Sequence, residues 1–86
     1  METGQSLALY HYVGCFFCAR VRSAAESLGF ELELRDIHVE PGHAQDLMEA
    51  TGRTTVPVLR IAEPDCEIRW LPESGDIIEY LEDSSH

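Results

Sequence analysis

Residues 7–29 read LALYHYVGCFFCARVRSAAESLG, and this stretch decides the fold. It opens with a nearly continuous apolar and aromatic run over residues 7–13, which is typical of a β-strand covered on both faces. The run stops at Gly14, and apolar residues then recur at helical spacing until Gly29 supplies a C-terminal stop. The stretch therefore predicts a strand, a tight turn and a helix.

Two cysteines, Cys15 and Cys18, lie at the predicted start of this helix in a C-x-x-C spacing, where they can cycle between dithiol and disulfide. Unpaired N–H groups and the positive end of the helix dipole favour a thiolate on Cys15, so its pKa is expected to fall. Cys18, one turn further in, is expected to be buried, protonated and positioned to resolve a mixed disulfide. The alternatives are two small core residues or half of a zinc site.

A zinc site would need further ligands, and the sequence offers neither a second C-x-x-C nor a histidine pair at the usual spacing. Cys66, at the start of a predicted hairpin strand, is interpreted as a partly exposed thiol that could be glutathionylated or form a dimer. His38 and His43 flank a Pro-Gly break and are predicted to lie on the surface. No metal site is predicted.

Periodicity and turn residues predict the remaining elements. They are a strand over residues 30–37, a helix over 44–50, strands over 56–61 and 66–71 joined by a turn at 63–65, and a last helix from its N-cap Ser74. The predicted fold class is α/β, a four-stranded mixed sheet flanked on both faces by three helices in the order β-α-β-α-β-β-α. Residues 1–86 are expected to form one domain, with frayed tails at 1–5 and 83–86.

The charge of the chain limits its expected partners. The 86 residues include 16 acidic and 6 basic side chains, for a formal net charge of −10. Such a surface repels phosphate, so neither nucleic acid nor an anionic membrane is an expected partner. No secretory signal or run of ~20 apolar residues is visible, and the cysteine usage fits a reducing, cytoplasmic location.

Three separated segments together resemble glutaredoxins. They are GCFFC at residues 14–18 after a strand, TVPVL at 55–59, and ESGDIIEYL at 73–81. The third segment looks more like the related N-terminal domain of glutathione transferases. The resemblance covers residues 7–82 and implies a thioredoxin-like fold.

The resemblance also implies a glutathione site. Pro57 would be cis and face the C-x-x-C motif, and the backbone of Val56 would pair with the cysteine part of glutathione. The start of the last helix would receive the γ-glutamyl carboxylate at Ser74, with Glu73 available for the ammonium group. The candidates for the glycyl carboxylate are Arg53, Arg22 and Arg20. The predicted glutathione-binding residues are Tyr12, Phe17, Thr55, Val56, Pro57, Glu73, Ser74 and Asp76.

Two positions depart from the glutaredoxin pattern. Phe16 stands where these proteins usually have a proline that preorganises the helix start. Tyr12 stands where many of them carry a lysine that binds glutathione and supports the thiolate. Both departures bear on the redox potential and on the affinity for glutathione.

These features predict a glutathione-dependent thiol–disulfide oxidoreductase of the glutaredoxin type, with roles in electron transport and cell redox homeostasis. Cys15 would attack a disulfide, and glutathione or Cys18 would release the mixed disulfide. Glutathione is the expected co-substrate, disulfide-containing or glutathionylated proteins are the expected partners, and a monomer with no permanently bound cofactor is expected. The alternatives are a glutathione-ligated iron–sulfur carrier, dimeric through Cys15, and an inactive thioredoxin-fold interaction module.

Overall fold

The computed structural model of the chain describes residues 6–65 and 67–84, and its elements follow the predicted order. The strands are β1 (Ser6–His11), β2 (Glu33–Asp36), β3 (Val58–Ala62) and β4 (Ile68–Pro72), and the helices are α1 (Phe16–Leu28), α2 (Pro41–Thr51) and α3 (Ser74–Ser84). The fold is α/β. Cys66, the predicted tail at 1–5 and the last two residues of the predicted tail at 83–86 lie outside the described residues.

The four strands form one mixed sheet in the order β2-β1-β3-β4. Strand β1 pairs in parallel with β2 and antiparallel with β3, and β3 pairs antiparallel with β4. In this register Leu9 lies between Leu34 of β2 and Leu59 of β3. The predicted combination of a parallel crossover and an antiparallel hairpin is confirmed.

Alternation along the strands divides the core between the two faces of the sheet. On one face, side chains of β1 and β3 pack with α1 and α3 in a cluster of Leu9, Val21, Ala25, Leu59, Ile61, Ile77 and Leu81. On the other face, a smaller cluster joins Tyr10 and Val58 to Leu47 of α2. Helices therefore cover both faces, as the sequence predicts.

Most element boundaries differ by a few residues from the sequence-based expectation. Strand β2 is shorter than the predicted 30–37, and β3 and β4 begin two residues later than predicted. Strand β1 ends at His11, and Val13, predicted as part of the strand, is 77% exposed. Helix α2 begins at Pro41 because a proline in the first turn lacks only an N–H that has no helical partner there. Helix α3 continues through Ser84, so residues 83 and 84, expected in the tail, are helical.

Candidate active site

A tight turn after β1 places Cys15 at the start of α1. Gly14 adopts a φ of 99°, a left-handed conformation that glycine tolerates, and the N–H of Cys15 donates to the carbonyl of Tyr12 at 3.2 Å. Cys15 is the N-cap of α1, with φ −79° and ψ 117°, and its Sγ accepts a hydrogen bond from the N–H of Cys18 at 3.4 Å. The sulfur thus occupies the place that a serine or aspartate oxygen usually takes at a helix N-terminus.

The surroundings of Cys15 favour its thiolate. Burial is the largest single influence and raises the pKa of the Cys15 thiol. It is outweighed by hydrogen bonds from the Cys18 side chain, from the N–H groups of Cys18 and Phe17, and from the Tyr12 side chain, so the pKa lies below its ordinary value. Cys15 keeps 9% of its surface exposed, and the predicted thiolate character of this cysteine is supported.

The surroundings of Cys18 favour its neutral thiol instead. This cysteine is completely buried, and burial, followed by its hydrogen bond to Cys15, raises the pKa of Cys18 to about 12. Cys18 is therefore the harder of the two thiols to ionise. Neither cysteine is in a disulfide, so the pair is present as a dithiol in this structure.

A groove of about 160 Å³ lies beside the first turn of α1, between the loop before β3 and the junction of β4 with α3. The Val56–Pro57 peptide bond is cis, as the resemblance implies. The groove is lined by Phe17, Arg53, Thr55, Val56, Pro57, Pro72, Glu73 and Ser74. Six of the eight residues predicted to bind glutathione thus meet in one concave surface.

The remaining two predicted residues, Tyr12 and Asp76, do not line this groove. The ring of Tyr12 stacks on that of His38 at 4.4 Å between centroids, and its side chain forms a hydrogen bond with Cys15. Asp76 is exposed in the first turn of α3. Tyr12 therefore acts on the thiol of Cys15, and Asp76 on the helix terminus, where its charge is favourable.

The start of α3 differs in detail from the sequence-based expectation. The N–H of Ile77 donates to the carbonyl of Glu73 at 3.0 Å, so Glu73 is the N-cap and Ser74 is the first helical residue. The prediction that Ser74 is the N-cap is off by one residue. Glu73 has a φ of 74°, and no other described residue except glycine has a positive φ. A left-handed non-glycine residue costs on the order of 1–3 kcal/mol and is often found at a functional site.

Of the three arginine candidates for the glycyl carboxylate, only Arg53 borders the groove. Arg20 is exposed on α1, and Arg22 lies at the interface of α1 with β1. Pro72 also lines the groove and was missed, because a proline at the end of a predicted strand carries no signal of a binding role. The left-handed Glu73 has no sequence signal either.

Phe17 is the groove residue nearest the thiols in sequence. Its side chain is 52% exposed and meets the ring of Phe16 edge to face at 5.5 Å. The motif therefore presents two aromatic rings to solvent beside the reactive sulfur. Within residues 6–65 and 67–84, no group of three or more His, Cys, Asp or Glu side chains is arranged to hold a metal ion.

The fold and this site place the chain in a known class. The family model for the glutathione S-transferase N-terminal domain matches residues 9–85. The chain therefore belongs to the glutathione S-transferase N-terminal domain family, which has a thioredoxin-like fold. No curated protein matches the sequence.

Several solved structures share the fold over almost the whole chain. Maleylacetoacetate isomerase from Anaeromyxobacter dehalogenans, solved with glutathione bound in its active site, is 28% identical with a TM-score of 0.75 over 98% of this chain and 39% of that protein. The trimeric glutathione transferase TDR1 from Leishmania is 29% identical with a TM-score of 0.75, covering 92% of this chain and 18% of its own. The omega 2S transferase from Trametes versicolor, at 24% identity and a TM-score of 0.75 over 93% of this chain and 36% of its own, shares the fold.

The chain spans about two fifths or less of the length of these proteins. The family assignment refines the resemblance seen in the sequence: the thioredoxin-like superfamily is confirmed, and the match is to glutathione transferases. None of the helices within the described ranges is long and apolar enough to cross a membrane.

Proposed function

We propose that this chain is a glutathione-dependent thiol–disulfide oxidoreductase that performs glutaredoxin chemistry on a glutathione transferase N-terminal domain. The observation that supports it is the position of the Cys15 sulfur. It caps α1 with a lowered pKa, has the protonated thiol of Cys18 one turn away, and lies next to the groove that Phe17 shares with Pro57. Thiol–disulfide exchange with glutathione needs a nucleophilic thiol, a second thiol that can resolve the mixed disulfide, and a recess that binds a small peptide.

The reaction begins when the Cys15 thiolate attacks the glutathionyl sulfur of a protein–glutathione disulfide. A new disulfide forms between Cys15 and glutathione, the old disulfide breaks, and the protein leaves as a thiolate that takes up a proton. A second glutathione then attacks the glutathionyl sulfur and leaves as glutathione disulfide, which regenerates the Cys15 thiolate. Alternatively, Cys18 attacks the sulfur of Cys15 and releases reduced glutathione. Two electrons pass from glutathione or from the dithiol to the substrate disulfide.

The groove offers a complementary group for each end of glutathione. The start of α3, with Ser74 as its first residue, suits the γ-glutamyl carboxylate because its N–H groups and dipole favour an anion. Glu73 suits the ammonium group, and the guanidinium of Arg53 suits the glycyl carboxylate. In this proposal the backbone of Val56 pairs with the central cysteine, whose sulfur faces Cys15.

Disulfide chemistry fits the site better than transfer of glutathione to an electrophile. A transferase must activate the thiol of glutathione itself, whereas here the helix N-terminus already holds a protein sulfur, that of Cys15. The N–H groups of Cys18 and Phe17 that could lower the pKa of a bound thiol act on Cys15 instead.

A turnover assay with a glutathione mixed disulfide and reduced glutathione tests the proposal. Cys15→Ser is expected to lower the rate at least about 100-fold, because removal of a nucleophile leaves only binding. Cys18→Ser is expected to retain part of the activity through release by glutathione. Cys66→Ser removes the third cysteine and serves as the matched control with near wild-type turnover.

Equal turnover with and without Cys15 would overturn the assignment. So would rapid conjugation of glutathione to an aryl halide that persists in Cys15→Ser, because that result would identify a transferase. Circular dichroism of each variant verifies that the fold is intact.

A further inference from the structure

The interface between α1 and β1 contains a charged group that the proposed reaction has not yet used. The Nε atom of Arg22 is buried and has no hydrogen-bond partner within residues 6–65 and 67–84. Arg22 as a whole is half-buried and lines a surface recess, but its Nε–H is a buried donor, and a buried donor without an acceptor is costly. This N–H is therefore available for an acceptor on the same face of α1.

The sulfur of Cys18 can become this acceptor when its thiol ionises. Cys18 and Arg22 are four residues apart on α1, so their side chains lie on the same face of the helix. That face packs on β1, because Val21 and Ala25 share a buried cluster with Leu9. The charge of Arg22 lowers the pKa of Cys18, although burial and Cys15 dominate and raise it.

Arg22 is the cation whose charge acts on Cys18, and the other charged or titratable groups near it include two carboxylates and one histidine. Glu26 and Glu31 line the surface recess that Arg22 also lines.

His11 points to the same face of the sheet as Leu9, is 4% exposed, and has an Nδ1 without a hydrogen-bond partner in the described part of the chain. Burial, then the charge of Arg22, lowers the pKa of His11, so the imidazole is neutral. Asp36, at the end of β2, opposes this shift, but its carboxylate accepts the N–H groups of residues 38 and 39.

We propose that Arg22 is a positioning residue that stabilises the Cys18 thiolate while Cys18 resolves the mixed disulfide on Cys15. The inference rests on the proposed function, since it assigns a residue to its second step. In that step the Cys18 sulfur attacks the Cys15 sulfur, the Cys15–Cys18 disulfide forms, and the bond to glutathione breaks. The proton lost by Cys18 is balanced by the proton that the released glutathione thiolate takes up.

The first arm of the test measures Cys18 directly, in a Cys15→Ser, Cys66→Ser protein where it is the sole thiol. The alkylation rate of Cys18, measured from about pH 8 to pH 11, is proportional to its thiolate fraction and is expected to fall at least about threefold in Arg22→Gln. Arg22→Lys keeps the charge and is expected to restore most of it. Arg60→Gln removes a positive charge from the other face of the sheet and is expected to change nothing.

The second arm measures single-turnover release of glutathione from the Cys15 mixed disulfide in Cys66→Ser protein. Arg22→Gln is expected to slow release about fivefold at neutral pH and to recover at higher pH, whereas a purely structural loss would not recover. Alkylation of Cys15 in Cys18→Ser protein is expected to be the same with and without Arg22→Gln.

Equal Cys18 titration and equal release in Arg22→Gln and Arg60→Gln would overturn the role of Arg22. Failure of the wild-type protein to form a mixed disulfide would instead overturn the proposed function, and the first arm would still show whether Arg22 acts on Cys18. If Arg22→Gln does not fold, Arg22→Lys decides: a titration unlike that of wild type, in a folded protein, counts against the inference.

Discussion

The N-termini of α1 and α3 border the same groove but differ in backbone conformation and in the group that caps them. The N-cap of α1 is Cys15, which has ordinary extended backbone and caps the helix with its sulfur. The N-cap of α3 is Glu73, which has left-handed backbone and is followed by Ser74, the first helical residue. Each start exposes N–H groups that attract negative charge, but at α1 that charge belongs to the protein, and at α3 the site is free for a ligand.

The difference separates chemistry from binding in the proposed reaction. In that proposal the start of α1 acts on the reacting sulfur and should determine kcat, whereas the start of α3 would bind a distant part of glutathione and should determine KM. Substitutions at the two ends are therefore expected to give separable kinetic effects.

The largest expected effect at the α3 end comes from Ser74→Ala. Loss of a hydrogen bond to a charged carboxylate is expected to raise KM for glutathione at least about tenfold with little change in kcat. Steady-state kinetics over a range of glutathione concentrations measures both constants, with Ser23→Ala, an exposed serine on α1, as the control. A fall in kcat at unchanged KM would remove the distinction between the two helix ends.

Alkaline pH is expected to weaken the protein through Cys18. The pKa of Cys18 is about 12 when folded, against ~8.5 for a free thiol, so its contribution is fully present below the lower value and is lost as pH rises toward the higher one. From neutral to about pH 10 the loss is expected to be roughly 1–2 kcal/mol of unfolding free energy.

Urea unfolding of Cys66→Ser protein at both pH values measures this loss. The added substitution Cys18→Ala is expected to abolish the Cys18 share of the pH dependence. The same slope with and without Cys18 would contradict the high pKa.

Glu73→Gly is expected to stabilise the protein and to weaken its binding of glutathione. Glycine accepts the φ of 74° without strain, so unfolding free energy should rise by about 0.5–1 kcal/mol while KM for glutathione rises through loss of the carboxylate. The matched control is Glu79→Gly, an exposed position inside α3, where glycine should cost about 1 kcal/mol. Chemical denaturation of the two variants should give changes of opposite sign.

The smallest effect is expected from Phe16→Pro at the α1 end. Cys15 already has the extended conformation that a residue before proline requires, and Phe16 is the first helical residue, where proline is tolerated. Unfolding free energy should change by less than about 1 kcal/mol, and the Cys15 thiolate titration should be preserved.

Phe17→Pro is the matched control for this prediction. It removes the N–H of Phe17 that supports the Cys15 sulfur and forces the helical residue before it out of the α region. It should therefore destabilise the protein and raise the pKa of Cys15. Equal stability and an equal Cys15 pKa in the two proline variants would mean that the N–H of Phe17 does not support the Cys15 thiolate.

The sequence predicts the elements that depend on periodicity and on simple capping. Helix α1 ends at its predicted glycine, because Gly29 adopts the left-handed conformation with a φ of 83° and its N–H pairs with the last turn. The pairing directions also follow from the connections, because β1 and β2 are joined through a helix and pair in parallel, whereas β3 and β4 are joined by a short turn and pair antiparallel. The cis bond before Pro57 was implied by family resemblance, not by the residues alone.

Features that depend on a choice between two local roles were predicted less well. Pro41 can end a strand or begin a helix, and only packing of Leu47 on the sheet decides for the helix. Ser74 is a good N-cap, but the backbone turns one residue earlier, at Glu73. Arg53 enters the groove through the loop after α2, a position that no local pattern encodes.

The unequal burial of the two sulfurs also bears on how the protein withstands oxidants. A peroxide reaches the partly exposed, thiolate-prone Cys15 first and converts it to a sulfenic acid. Cys18, one helical turn away, can condense with that acid to a disulfide that glutathione reduces, before further oxidation becomes irreversible. Cys18 is thus expected to protect Cys15 from irreversible oxidation.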